Sequence, residues 1–380
     1  MFEALSKAFI KELQSIKNSY YKLLLVTILP IVSFTLLIAT LYDGVLRDMP
    51  IAVIDNDKSS LSREVLKNIE ASPTIKIRAM LSSTKEAIKL AQESKVYAVV
   101  VIPKDFQKDT TLQKQPSVTA MINTQYILVG KIITSSLTKT IRQNAAQVEY
   151  IKNLKELQIP YSTINSISPI GLQITPYFNT FQNYFIFLIS ALLPAIWQIF
   201  IVVATIVSFG SMFKNKEEKK YLDTTYLFSC IIGKLLPYTV IYLFFGILYL
   251  FYIYGTLGWV FQGSITFTIF GMFLTVVAYQ AMALLLFVTG FDYARSLSLG
   301  ALYTAPAFAF LGVTFPVYNM NGFAEFWRDI LPVSHYMQLQ ISQANYGANI
   351  FLDFDKLLHI FSFWLAFLVV YFMFKRKLSK

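Results

Sequence analysis

LLLVTILPIVSFTLLIATLYDGVLRDMPIAVIDND, Leu23–Asp57, changes character midway, and that change decides the fold. Leu23 to Tyr42 is an uncharged apolar run of about the twenty residues that a helix needs to cross a hydrocarbon core some 30 Å thick. MPIAVIDND then reads as a buried strand ending in a turn. A membrane helix thus feeds a folded α/β domain. The basic flank ahead of Leu23 would suit a signal peptide, but the apolar run is longer than an h-region. It also ends in IATLYDG without an A-x-A site, so an uncleaved anchor is expected.

The composition agrees with a membrane protein. The 380 residues are 55% hydrophobic and 14% charged, with a mean hydropathy of +0.53, too apolar and charge-poor for an ordinary soluble chain. A net charge of +11 would suggest nucleic acid in a soluble protein. Here the cations are spread out and cluster beside apolar runs, where they set orientation, so no nucleic-acid partner is expected. The single cysteine, Cys230, excludes an intramolecular disulfide framework and a cysteine metal cluster.

Five further apolar runs follow: Tyr184 to Met212, Leu235 to Val260 just after Lys234, Ser264 to Gly290, Ser296 to Pro316, and Leu357 to Phe374. The expected fold class is therefore mostly α, a polytopic membrane protein with six transmembrane helices plus an extracytoplasmic α/β domain. Its parts are an amphipathic helix in 1–22, the first span in 23–42, the α/β domain in 43–183, spans two to six in 184–374 with a loop at 213–225, and a basic tail at 375–380. Lysine and arginine resist translocation. Lys7, Lys11, Lys17 and Lys22, then Lys214, Lys216, Lys219 and Lys220, then Arg295, and finally Lys375, Arg376, Lys377 and Lys380 all fall on one side of a six-span arrangement. Both termini and the loop are thus expected in the cytoplasm.

MFEALSKAFIKELQSIK places Phe2, Leu5, Phe9, Leu13 and Ile16 in one helical stripe with Lys7 and Lys11 opposite. That pattern fits a helix lying in the membrane interface, and equally one packed on the rest of the protein. In 43–183, the helix after Asp57 carries Leu61, Val65, Leu66 and Ile69 on one face, and TIKIRAML alternates as a strand. Ser83-Thr84-Lys85-Glu86 reads as a capping box, and VYAVVVIP as a second continuous apolar strand. SVTAMIN and a long helix from about Tyr126 to Leu157 complete the domain. Strand and helix in alternation predict a small α/β fold. Pro160, Pro169 and Pro176 suggest an extended return to the membrane.

Chemistry is sparse. No G-x-x-x-x-G-K-[ST] is present, so the chain has no P-loop for nucleotide, and Gly233-Lys234 lacks the loop that would cradle phosphates. His335 and His359 have no ligand partner at helical spacing and read as structural. Asp55-Asn56-Asp57 reads as an Asx turn and N-cap rather than a metal loop. The spans are almost free of charge, with Lys234 near a cytoplasmic end where it can snorkel. No catalytic residue, metal site or cofactor is expected.

The loop FKNKEEKKYLDTT, Phe213–Thr225, packs seven charges between two apolar runs and is either a solvated positive-inside loop or a docking element. MPIAVIDNDKSSLSREVLKNIEASPTIKI, VYAVVVIPKDF, IIGKLLPY, GVTFPVYNM and ILPVSHY together resemble the ABC-2 type transporter permeases, specifically the exporter subgroup with one span, a long extracytoplasmic insert and five further spans. That resemblance implies a non-enzymatic transport subunit of the bacterial inner membrane that pairs with a second copy or a paralogue. It also implies a separate cytoplasmic ABC ATPase carrying the ATP and magnesium. A periplasmic adaptor is a further possible partner. The loop and the span after it would couple to the ATPase through Lys214, Lys216, Glu217, Glu218, Lys219, Asp223, Gly233, Lys234, Pro237 and Tyr238. Gly312, Phe315, Pro316 and Tyr318 would form an outer gate or line the pathway. The loop departs from the family in lacking its usual Glu-x-Gly-Thr run, and Met320-Asn321 replaces a common methionine-proline. The substrate implied is amphipathic or apolar, such as a drug, lipid or envelope component, moved outward. The alternative is a membrane receptor or envelope scaffold whose α/β domain binds a ligand.

Overall fold

In hydrocarbon a backbone must satisfy its own hydrogen bonds, so long uncharged runs fold as helices. A computed structural model describes residues 1–41, 44, 46–112, 114–155, 183–312 and 317–379. Among the described residues five helices are long and apolar enough to cross a membrane: Tyr20–Leu41, Phe185–Lys214, Leu227–Thr256, Ile265–Val288 and Ile350–Leu378. The chain divides into two compact units, Met1–Gly44 with Pro176–Lys380, and Val45–Thr175.

Span boundaries differ from the sequence reading in instructive places. The third span begins at Leu227 instead of Leu235, so Lys234 sits inside the helix. The fifth run, Ser296 to Pro316, is not one long helix. Its described part holds Tyr293–Thr304 and Ala307–Phe310, because Pro306 has no N–H to continue the ladder. Ala305 and Pro306 stay in right-handed helical geometry, so the interruption is a kink within one path. The first span is likewise divided at Thr27, between Tyr20–Val26 and Ile28–Leu41, where Pro30 cannot donate to the Val26 carbonyl. The helix Pro332–Ile341 starts after extended Leu331, with Pro332 in its first turn, where its missing N–H has no intrahelical partner to lose.

The second unit holds a four-stranded sheet in the order β2-β1-β3-β4: β1 Met49–Asp55, β2 Ile75–Leu81, β3 Ala98–Ile102 and β4 Thr119–Ile122. β1 runs parallel to β2 and β3, and β4 is antiparallel to β3. Both faces are covered, which explains why β1 is continuously apolar. Met49, Ile51 and Val53 pack with Val65, Ile69, Ile133 and Leu137 on one side. Ala52 and Ile54 pack with Ala87, Val96 and Val99 on the other. Helix Ser60–Glu70 is N-capped by Ser59, whose hydroxyl accepts from Ser62 N at 3.1 Å. Helix Thr84–Gln92 begins where the capping box places it, but Ser83 makes no side-chain cap bond. The long helix is Ile127–Lys155; Leu157 and the three prolines of the return segment lie outside the described residues.

Candidate functional site: a buried ionic cluster beneath the charged loop

The N-terminal helix, Phe2–Asn18, buries only Ile16 of the apolar stripe, with Leu5 and Phe9 half-buried. Ala8, Glu12 and Ile16 are its buried residues, whereas Phe2 and Leu13 are 82% and 41% exposed. The inward row is spaced i, i+4, one face of a helix. Ala8 lies against Gly233, where an added Cβ would clash with the Leu5 carbonyl oxygen. Glycine at 233 is therefore what lets the two helices approach this closely. The apolar residues left outside this contact form a second face, and Lys7, Gln14 and Glu3 a third, exposed one.

Close approach brings a carboxylate into the helical unit. Glu12 is fully buried. Its Oε1 accepts from Lys22 Nζ at 2.9 Å, Ser208 Oγ at 2.9 Å and Tyr238 Oη at 2.8 Å. Its Oε2 is paired with Lys234 Nζ. One side chain of the N-terminal helix thus joins the first span through Lys22, the second through Ser208 and the third through Lys234 and Tyr238. Burial pushes the Glu12 carboxyl pKa up, but the ammonium groups of Lys234 and Lys22 beside it win and hold it below its ordinary value. Lys234 therefore does not snorkel. It is 1% exposed, with its ammonium 4.6 Å from the Tyr221 ring centroid and 5.4 Å from that of Phe209.

The charged loop lies over this cluster. Lys214 ends the second span, 5.9 Å from the Tyr293 ring. Lys216 is exposed with φ +55°. Glu217 pairs with Lys220 at 3.5 Å, and Glu218 opens the short helix Glu218–Tyr221 with its Oε2 enclosed and unbonded among the described residues. Lys219 is exposed. Asp223 Oδ1 accepts from Thr225 N at 2.8 Å, closing the turn. Lys11 of the N-terminal helix donates to the Lys220 carbonyl at 2.8 Å, tying helix to loop. Pro237 lies inside the third span and leaves the Gly233 carbonyl, one turn earlier, without its usual donor. The loop, the N-terminal helix and the GKLLPY segment are thus one contiguous structure.

The residues expected at a gate are not assembled in this way. Phe315 and Pro316 lie outside the described residues. Gly312 has φ +85°, the left-handed geometry that glycine tolerates, and Tyr318 is 96% exposed in a short turn, Val317–Asn319. His335 and His359 stack at 5.2 Å, and each ring nitrogen that bonds does so to a backbone carbonyl, Asp329 at 3.1 Å and Asp355 at 2.8 Å. Asp55 makes the anticipated Asx turn, accepting from Asp57 N at 3.0 Å and Lys58 N at 2.9 Å. The sequence reading missed Glu12. A signal was present in the row Ala4, Ala8, Glu12 and in Lys234, a cation in an apolar run that needs a counter-charge.

A bundle of spanning helices, with an amphipathic helix and a charged loop locked together at one end of it, defines a polytopic membrane subunit. The profile of the family described as ABC-2 family transporter protein matches residues 21–374. The chain belongs to that family, and is a membrane permease subunit of an ABC transporter whose ATPase resides on a partner chain. No curated protein matches it.

Proposed function

We propose that the chain is the permease subunit of an exporter that moves an amphipathic or apolar substrate outward from the cytoplasm or inner leaflet. In this reading it sits in a bacterial inner membrane with both termini cytoplasmic and residues 43–183 extracytoplasmic. Two such subunits, identical or paralogous, would each engage an ATPase carrying ATP and magnesium. The α/β unit is the surface available to a periplasmic adaptor. The observation that carries the reading is the Glu12 cluster. A rigid helix at the loop, joined through one carboxylate to spans one, two and three, transmits a push on the loop to three spans together.

Two experiments test it. With Cys230 replaced, a cysteine at Lys89 should react with an impermeant thiol reagent in spheroplasts and one at Lys219 should not. Labelling at Lys219 would overturn the orientation. Charge reversal of Glu217 and Glu218 should leave insertion intact and lower substrate-stimulated ATPase activity of the assembled complex. Unchanged coupling would instead make the loop a solvated, positive-inside element.

A further inference from the structure

Glu12 cannot neutralise its surroundings alone. Lys22 and Lys234, 5% and 1% exposed, share this one carboxylate, which leaves one buried positive charge in excess, and a buried charge is costly unless compensated. A further carboxylate, Glu217, lines the same cavity, but its side chain is 38% exposed and pairs with Lys220 at 3.5 Å. Beside the two ammonium groups lies a cavity of about 120 Å³, walled by Ser15, Ser19, Ser211 and Asn215 as well as the lysines. Lys22 donates to Glu12 and Ser15, leaving its third proton available. Ser19 is half-buried and Asn215 exposed, and among the described residues neither side chain is engaged by another protein group. The cavity is thus small, rich in donors and positive, and it opens at the end of the first span where its basic flank meets the apolar run.

We propose that this cavity binds a single tetrahedral oxyanion of the phosphate type, supplied by a lipid phosphodiester headgroup or by free phosphate. Lys22 and Lys234 provide the charge, and Ser19 and Asn215 provide directional donors that no other protein group engages. Glu217, which also lines the cavity, competes with the anion when it turns inward, so occupancy opposes inward movement of the charged loop. The site is independent of which substrate the transporter carries and of the direction of transport.

The full chain, purified in neutral detergent, provides the test. Thermal unfolding is followed against sodium phosphate with ionic strength matched by sodium gluconate, and native mass spectrometry follows retention of phosphatidylglycerol against phosphatidylcholine. A saturable rise of the midpoint with phosphate, or retention of one phosphatidylglycerol in preference to phosphatidylcholine, supports the site; the lipid effect alone assigns it to a headgroup, and the phosphate effect alone to the free ion. The paired variant Ser19→Ala and Asn215→Ala, which spares every ion pair, should weaken binding roughly tenfold or more through two lost bonds to a charged group. Glu217→Gln should tighten it roughly tenfold by removing a competing charge. No saturable effect of either probe, or equal binding by the paired variant, overturns the proposal.

Discussion

Two carboxylates, one in each unit, are satisfied in opposite ways. Asp55, at the end of β1, is held by Asp57 N, Lys58 N and Ser62 Oγ, all within seven residues of it. Glu12 is held by Lys22, Ser208, Lys234 and Tyr238, the last 226 residues away. The first is a local device that a strand-turn-helix would contain wherever it folded. The second exists only once three membrane helices and the N-terminal helix have assembled. In the α/β unit polar groups therefore shape a turn, whereas in the helical unit one polar group specifies which helices meet.

The contrast predicts that the two sites differ in what their loss does. Glu12→Ala leaves Lys22 and Lys234 buried against each other, which should cost about 3–5 kcal/mol and appear as a large drop in the unfolding midpoint of the detergent-purified chain. Replacing the whole cluster, with Glu12→Leu, Lys22→Met and Lys234→Met together, should recover much of that loss, because well-packed apolar residues often equal a buried ion pair. A single variant no less stable than the wild type would show that the cluster does not hold the helices together.

Next in size is the contact that admits the carboxylate. Gly233→Ala places a Cβ against the Leu5 carbonyl, a backbone atom that cannot rotate away, and overpacking of this kind costs about 1–3 kcal/mol. The N-terminal helix should be displaced, so crosslinking between cysteines at Ala4 and Leu222, which line one pocket, should fall. Unchanged crosslinking would mean that the helix is held by the ion pairs alone.

Asp55→Ala should have a smaller and purely local effect. It removes acceptors from two backbone N–H groups and from the Ser62 hydroxyl, which keeps its bond to the Ser59 carbonyl, a loss of about 1–2 kcal/mol. Proteolysis should begin at the 56–59 turn while the membrane helices retain their protection. Loss of the whole protein from the membrane fraction would contradict the division of labour between the units.

The same contrast explains what could be read in advance. Continuous apolar β1, the Asx turn at Asp55 and most span cores were legible because each rests on neighbours in the chain. The run Ser296 to Pro316 reads as one helix because its apolarity is unbroken, while the Pro306 kink depends on one missing donor. Glu12 was legible only through distant hints, the row Ala4 and Ala8 and the lone cation Lys234, and not from its own neighbours. It lies in KELQSIK, between Lys11 and Gln14, a pattern indistinguishable from a solvated helix face. The aromatic stripe dominated the reading because aromatic side chains outweigh alanine in any periodicity, yet here the small residues mark the buried face, since only they allow close approach.

Acidification tests the ionisation of Glu12 directly. The folded-state pKa of Glu12 lies below the ordinary 4.5, so its contribution to stability is fully present above about pH 4.5 and is lost as the pH falls through the folded value. Glu12→Gln approximates the protonated side chain at every pH. The stability gap between wild type and Glu12→Gln should therefore be constant from neutrality down to about pH 4.5 and narrow below it. If burial rather than the two lysines governed the carboxyl, its pKa would be raised and the gap would already narrow above pH 4.5. The midpoint difference between the two proteins as a function of pH distinguishes these cases directly. A gap closing between pH 6 and 5 would show that Lys22 and Lys234 do not hold the carboxylate ionised, and the picture of one charged group binding three spans would fail with it.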